Sequence, residues 1–178
     1  MSIGQERGKR LVGYLQSRKS NRGMLAELRR GINPDHRHRG APYLGSVGMV
    51  GDQAAEVVAA LFAHHPSHQP GARWELQLHK LHIQQSPNSD NQSPLSRRFL
   101  RLQSCQDVDN LSKLMLAVFN FFDRSGLPVD YIQLYHDLYA WKYDARRIQM
   151  RWGRGFWNGS YDKKEVAEPS TANPSTAA

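Results

Sequence analysis

Arginine is the residue type whose spacing in this sequence most clearly suggests chemistry. Residues 146–157 read RRIQMRWGRGFW and contain four arginines and three aromatic residues. On a helix, Arg147, Arg151 and Arg154 recur at i, i+4 and i+7 and form one stripe. The stretch contains no acidic residue that could pair with them at helical spacing. Arginines in such a setting favour contacts with phosphate, because guanidinium groups donate strong, often paired hydrogen bonds to anionic oxygens.

The aromatic residues of the same stretch favour a different role. Ile148, Trp152 and Phe156 share a helical face about 100° round from the arginines. Because the aromatics share their face with an isoleucine, we expect them in the core rather than stacked on nucleic-acid bases. Packing the aromatics inward leaves the arginines in water.

Histidine is the second residue type that could do chemistry. His64, His65 and His68 form an HHxxH pattern, and His79 and His82 are three residues apart. A metal site needs converging ligands, often including a carboxylate. No acidic residue lies near the first cluster, and Pro66 interrupts any helix there. We therefore favour helix-end and loop histidines over a zinc or iron site.

The acidic residues do not indicate a catalytic site. Asp107 and Asp109 form a tight pair, but both fall in the first turn of a predicted helix, where acids cap the helix and complement its dipole. Phosphate-binding glycine loops of the Walker or dinucleotide type are absent from the sequence. The sequence therefore predicts no enzyme activity, no cofactor and no metal.

Apolar residues spaced three or four apart predict helices along most of the chain. The clearest helix covers 108–125, with Asp107 as its N-cap and Gly126 and Pro128 as its stop signal. Asp52 is the predicted N-cap of a helix at 53–65. Residues 72–84 fit neither the helix period nor the strand period, 86–94 form a predicted loop, and strand signals are nearly absent. The other predicted helices cover 6–18, 21–30, 96–102, 130–143 and a segment starting near 144.

These elements predict an all-α fold. We expect a single domain at 1–160, a compact bundle of seven to nine helices, followed by a disordered tail at 161–178 that is rich in Pro, Ser, Thr and Ala. The sequence has no apolar run long enough for a membrane span and no signal peptide. Its one cysteine, Cys105, fits a reducing cytoplasm. The net charge of +8 and the isoelectric point near 9.9 make a polyanion the first partner to test.

An ordered set of motifs carries a resemblance to a known family. The motifs are AELRRG (26–31), LFAHHP (61–66), RRFLRL (97–102), LxxLMLAVFNFF (111–122), LPVDYIQLYHDLYAW (127–141) and IQMRWGRGFW (148–157). With them the sequence resembles CasB, the small-subunit family of the type I-E CRISPR Cascade complex. Residues 96–157 match in order and spacing, and the N-terminal half matches less closely.

The resemblance implies a non-catalytic, all-helical subunit. Members of the family pair with a second copy of themselves and contact the backbone subunits and the large subunit of Cascade. They also contact the guide RNA paired with target DNA and the displaced DNA strand. The expected role is to stabilise this R-loop in antiviral defence.

The nucleic-acid-binding residues follow from both lines of reasoning. The resemblance assigns Arg29 and Arg30 to the family's LRR positions, Arg97 and Arg98 to its RRF pair, and Arg151 and Arg154 to its RWxR segment. Local charge adds four more predicted contacts: Arg22, Lys80, Arg101 and Arg147. Lys80 is the one firm cation of a segment, LQLHKLH (76–82), that is more basic in many family members.

An alternative remains open at this point. The adjacent helices predicted at 130–143 and from 144 onward could form a helix-turn-helix in a free-standing DNA-binding protein, although their joint lacks the usual glycine turn.

Overall fold

The computed structural model describes residues 3–85 and 93–160 of the 178-residue chain. Within these ranges eight α-helices and one 3-10 helix form an all-α domain, so the predicted fold class is confirmed. No strand forms in the described part, where only an isolated bridge joins His68 and Val129. The helices are α1 (Ile3–Ser17), α2 (Arg22–Arg30), the 3-10 helix (Pro34–Gly40), α3 (Ala41–Gly45), α4 (Gln53–His64), α5 (Trp74–Gln85), α6 (Pro94–Gln103), α7 (Val108–Ser125) and α8 (Tyr131–Asn158).

Side-chain caps fix where the helices begin. The carboxylate of Asp52 accepts from Ala55 N at the start of α4, and that of Asp107 accepts from Asn110 N at the start of α7. Both caps were predicted, and each satisfies a backbone donor that the first helical turn leaves unpaired. Gly126 ends α7 in the left-handed conformation with φ 67°, as its place in the stop signal predicted.

Helix α4 is the centre of the core. Nine of its twelve residues, from Ala54 to Ala63, are buried, and it packs against α1, α2, α7 and α8. A helix that is apolar nearly all round must be enclosed in this way, because any exposed face would leave apolar surface in water.

The aromatic residues of the C-terminal stretch lie inside, as predicted. Ile148, Trp152 and Phe156 are buried. Trp152 meets Trp74 of α5 edge-on with ring centroids 4.9 Å apart, and Phe156 stacks on Phe99 of α6 at 4.1 Å. This aromatic cluster joins the second half of α8 to both α5 and α6.

The structure differs from the sequence reading in two places. Residues 72–84 lie mostly in helix α5. They fitted neither period because three polar residues of this helix, Glu75, Gln77 and His82, are buried together with its apolar residues. The short 3-10 helix and α3 were not predicted, since elements of five to seven residues are too short to show a period.

The two helices predicted on either side of residue 144 are the two halves of α8, which meet at a kink at Asp144 (φ −154°, ψ 65°), as predicted. One non-helical residue replaces the three- or four-residue turn of a helix-turn-helix, so that alternative does not describe the joint. The predicted tail at 161–178 and most of the predicted loop at 86–94 lie outside the described residues.

Candidate nucleic-acid interface

Helix α6 presents two arginines to solvent on one face. Ser93 caps the helix by accepting from Ser96 N, and the face that includes Phe99 packs inward. The opposite face carries Arg97 and Arg101, which are both exposed, with Leu100 between them. Among the described residues, neither guanidinium has an ion-pair partner. We call Arg97, Leu100 and Arg101 the α6 arginine face.

Arg98 points to the side of this face. Its Nη1 donates to the carbonyl oxygen of Ala117 at 3.2 Å, and its guanidinium lies 5.2 Å from the ring centroid of Phe121. Both partners belong to α7, so Arg98 rests on the neighbouring helix while its residue as a whole stays exposed. No carboxylate in the described part of the chain pairs with it.

The cations of α2 and α5 have more varied surroundings. Arg29 Nε donates to the carbonyl oxygen of Ala63 at 2.7 Å and so satisfies a carbonyl in the last turn of α4. Arg30 pairs with Glu27 at 3.3 Å. Arg22 is exposed in the first turn of α2 without an ion pair to any described residue. Lys80 on α5 is exposed and donates to Gln77 Oε1 at 3.2 Å.

The arginines of α8 do not share one environment, although their spacing placed them in one stripe. Arg147 is exposed and pairs with Asp144 at 3.3 Å. Arg151 turns inward and pairs with Asp137, with only 14% of its side chain exposed. Arg154 is half-buried and interacts with other groups of the chain. Arg146, which the sequence reasoning omitted from the site, is exposed and has no ion-pair partner among the residues described.

Asp137 explains why Arg151 lies inside. This buried carboxylate accepts from Trp152 Nε1 at 2.7 Å and from Gln133 Nε2 at 2.6 Å, in addition to its ion pair with Arg151. Burial raises the pKa of Asp137, but the Arg151 guanidinium, together with His136, Arg73 and Trp152, outweighs burial and holds the pKa below its usual value. A charged pair at this position favours a structural role for Arg151 over the predicted phosphate contact. Asp137 could not be recognised as the partner of Arg151 from the sequence pattern, because that pattern relates an arginine only to acids within about one helical turn.

The structure brings the cations of α6 and of the second half of α8 onto adjoining helices. Gln103 of α6 donates to the carbonyl oxygen of Gln149 at 3.3 Å, close to Gly153, where a side chain would collide with the Gln103 amide. Helix α2 packs instead on α4 and on the 3-10 helix. The predicted contacts therefore lie on several helices: the arginines of α6 and α8 on two adjoining helices, those of α2 on a helix packed elsewhere, and Lys80 on α5.

The histidines contact backbone carbonyls. His65 Nε2 lies 2.8 Å from Leu127 O, and His79 Nδ1 lies 2.7 Å from Phe156 O. Burial and the nearby Arg29 lower the pKa of His64. In the described residues, no group of three or more His, Cys, Asp or Glu side chains is placed to hold a metal ion.

The length and hydrophobicity of the helices bear on whether one of them could cross a membrane. Across residues 3–85 and 93–160, none of the helices combines the length and the hydrophobicity that crossing a bilayer requires.

Comparison with known proteins places this helical domain in a family. The family model described as CRISPR-associated protein Cse2 matches residues 24–157. A Cse2-family CRISPR-associated protein from Thermus thermophilus has a similar structure, with a TM-score of 0.68 and 26% identity over 89% of this chain and 99% of that one. CasB from Thermobifida fusca shares the fold at a TM-score of 0.65 and 22% identity, over 87% of this chain and 97% of its own.

A second structure from Thermus thermophilus, described as CasB, matches with a TM-score of 0.66 and 24% identity over 90% of this chain and 100% of that chain. No curated protein sequence matches. Because the family model covers residues 24–157, most of the chain, the chain belongs to the Cse2 (CasB) family of CRISPR-associated proteins, the small subunits of type I-E Cascade.

Proposed function

We propose that this Cascade small subunit is non-catalytic and binds nucleic-acid backbones in the R-loop. The proposed ligands are the guide RNA paired with target DNA and the displaced strand. The proposed protein partners are the backbone and large subunits of Cascade and a second copy of this chain. The observation that carries the proposal is the α6 arginine face, where two exposed guanidinium groups have no carboxylate partner in the described chain.

The physical chemistry of R-loops suits such a surface. Forming an R-loop exchanges a DNA duplex for an RNA–DNA duplex of similar stability, so contacts to the backbones can shift the balance. Guanidinium contacts to phosphate read no sequence, and none is needed because the guide RNA selects the target. Exposed arginines held on a packed helix supply these contacts without a specialised pocket.

Six of the ten predicted contacts support this function more directly than the other four. Arg30, Arg147 and Arg151 have carboxylate partners, and Arg154 is half-buried. We therefore assign the main contacts to the α6 arginine face and keep Arg98 beside it. Arg22, Arg29 and Lys80 are proposed as a further set of contacts.

The test replaces both arginines of the α6 arginine face in the assembled complex. R97A/R101A should weaken target-DNA binding by about three- to thirtyfold, because each lost contact resembles an exposed ion pair. The matched control is R18A/K19A, which removes the same charge at the end of α1 and should leave the affinity unchanged. Circular dichroism checks that both variants remain helical.

Two results would count against the proposal. Equal DNA affinity for wild type, R97A/R101A and the control would remove the proposed role of this face. A footprint of the isolated chain at one defined DNA sequence would indicate base recognition by the chain itself, as in the free-standing DNA-binding alternative.

A further inference from the structure

A cavity of about 390 Å³ opens to solvent where α1, the loop before α4 and the first turn of α4 meet the start of α7 and the middle of α8. Apolar side chains form part of its wall, including Val50, Ala54 and Leu138. Arg7 and Lys142 add two cations. Its volume lies in the range of small-molecule sites, and its wall is about equally polar and apolar.

The charge of the cavity is positive. Its one carboxylate, Asp52, already accepts from Arg7 Nη2 at 2.7 Å and from the hydroxyl of Tyr135 at 2.7 Å. Lys142 has no ion-pair partner among the residues that the structure describes. A ligand with a negative group would therefore meet an ammonium whose contacts are tyrosine side chains rather than a paired carboxylate.

A row of tyrosines runs along α8 from the core past this cavity, and Tyr139 is part of the cavity lining. Tyr135, Tyr139 and Tyr143 are spaced four residues apart on α8, with successive ring centroids 6.0 and 6.5 Å apart. Tyr135 is buried, Tyr139 is half-buried, and Tyr143 is 73% exposed. The Lys142 ammonium lies 5.1 Å from the Tyr139 centroid and 4.8 Å from that of Tyr143. We call Lys142, which lines the cavity, and its neighbour Tyr143 the rim: the Tyr143 ring is largely exposed, and the Lys142 ammonium lies against it.

We propose that the cavity and its rim bind an unpaired nucleotide, with its base on Tyr143 and its phosphate at Lys142. An unpaired nucleotide combines a flat aromatic base with an anionic phosphate, and proteins that bind single strands combine aromatic platforms with cations in the same way. An acidic peptide would satisfy Lys142 but would leave the exposed ring without a stacking partner.

The proposal rests on the proposed function, since it adds a base-stacking site to a subunit that binds nucleic-acid backbones. Arg146 follows Tyr143 by three residues, just beyond the kink at Asp144. It is exposed, and the intervening Asp144 is paired with Arg147 at 3.3 Å. A strand stacked on Tyr143 would thus continue toward a further cation of α8.

The experiment compares a short oligothymidine with an abasic strand of equal length, using the full chain at low salt. The two strands carry the same phosphates, so their difference in affinity reports on the bases. The wild-type chain should bind oligothymidine about 5- to 100-fold more tightly, as expected for base stacking on an aromatic ring. Y143A should abolish this preference, while Y143F, which keeps the ring, should retain it.

The outcomes separate this inference from the proposed function. Equal wild-type affinity for the two strands, or an unchanged preference in Y143A, would overturn the nucleotide site. A Y143A chain that keeps its preference but fails to join the other Cascade subunits would assign the surface to a protein partner instead. Neither result changes the DNA affinity expected for R97A/R101A, so that measurement tests the proposed function independently.

Discussion

At the scale of single residues, the surroundings of an arginine determine what its guanidinium can bind. Arg147 and Arg151 are four residues apart, yet the first is exposed beside Asp144 and the second pairs with buried Asp137. Arg97 and Arg101, with the same spacing, are exposed and have no carboxylate partner in the described chain. Arginines at the same spacing therefore differ in role: Arg151 of α8 forms a buried ion pair, whereas Arg97 and Arg101 of α6 are available to a ligand.

Arg29 should contribute to stability, whatever its part in binding. R29A removes the hydrogen bond to Ala63 O and leaves a carbonyl in the last turn of α4 without its partner. We expect the free energy of unfolding to fall by about 1 kcal/mol, the usual net value of such a bond. Urea denaturation measures this loss.

R22A is the matched control for R29A, because it removes an exposed arginine from the same helix and should change stability by less than about 0.5 kcal/mol. Equal stability losses in the two variants would show that the bond to Ala63 contributes nothing specific.

At the scale of elements, α8 is a kinked helix whose two halves are held together from inside. Asp137 in the first half binds Trp152 and Arg151 in the second, across the interruption at Asp144. Trp141 also packs against Trp152, with ring centroids 5.1 Å apart. These contacts fix the direction of the second half of α8 and therefore the position of its exposed arginines.

Replacing Asp137 should be costly, because it would leave a buried positive charge. D137N should lower the free energy of unfolding by about 3 kcal/mol, since Arg151 loses its partner. The double variant D137N/R151Q should recover at least about 1 kcal/mol of that loss, because it removes the unpaired charge. Chemical denaturation of the wild type, both single variants and the double variant measures the coupling. Additive losses would contradict the ion pair.

Most helices could be predicted from the sequence because capping residues and glycine stop signals mark where they begin and end. Asp52, Asp107 and Gly126 act at the boundaries where their residue types predicted caps and a stop. The pairing of Arg151 could not be predicted in the same way, since its partner lies fourteen residues upstream and becomes a neighbour only through the kink of α8. Contacts between distant residues depend on packing geometry, which a local pattern does not contain.

At the scale of the whole molecule, a basic helical domain displays cations on rigid helices. The chain carries a net charge of +8, and the apolar residues enclose α4 and the aromatic cluster, which fixes α6 and α8 against each other. Family membership was predictable from the order of motifs along 96–157, and the Cse2 family model confirms it. Which of the predicted arginines face solvent could be decided only from the structure.

The salt dependence of target-DNA binding tests the central claim most directly. If the α6 arginine face neutralises two phosphates, R97A/R101A should make the slope of log affinity against log salt concentration shallower by about 1.4 to 1.8 relative to wild type. The R18A/K19A control should keep the wild-type slope. A wild-type slope in R97A/R101A would contradict the account, because it would mean that these arginines release no counterions from DNA.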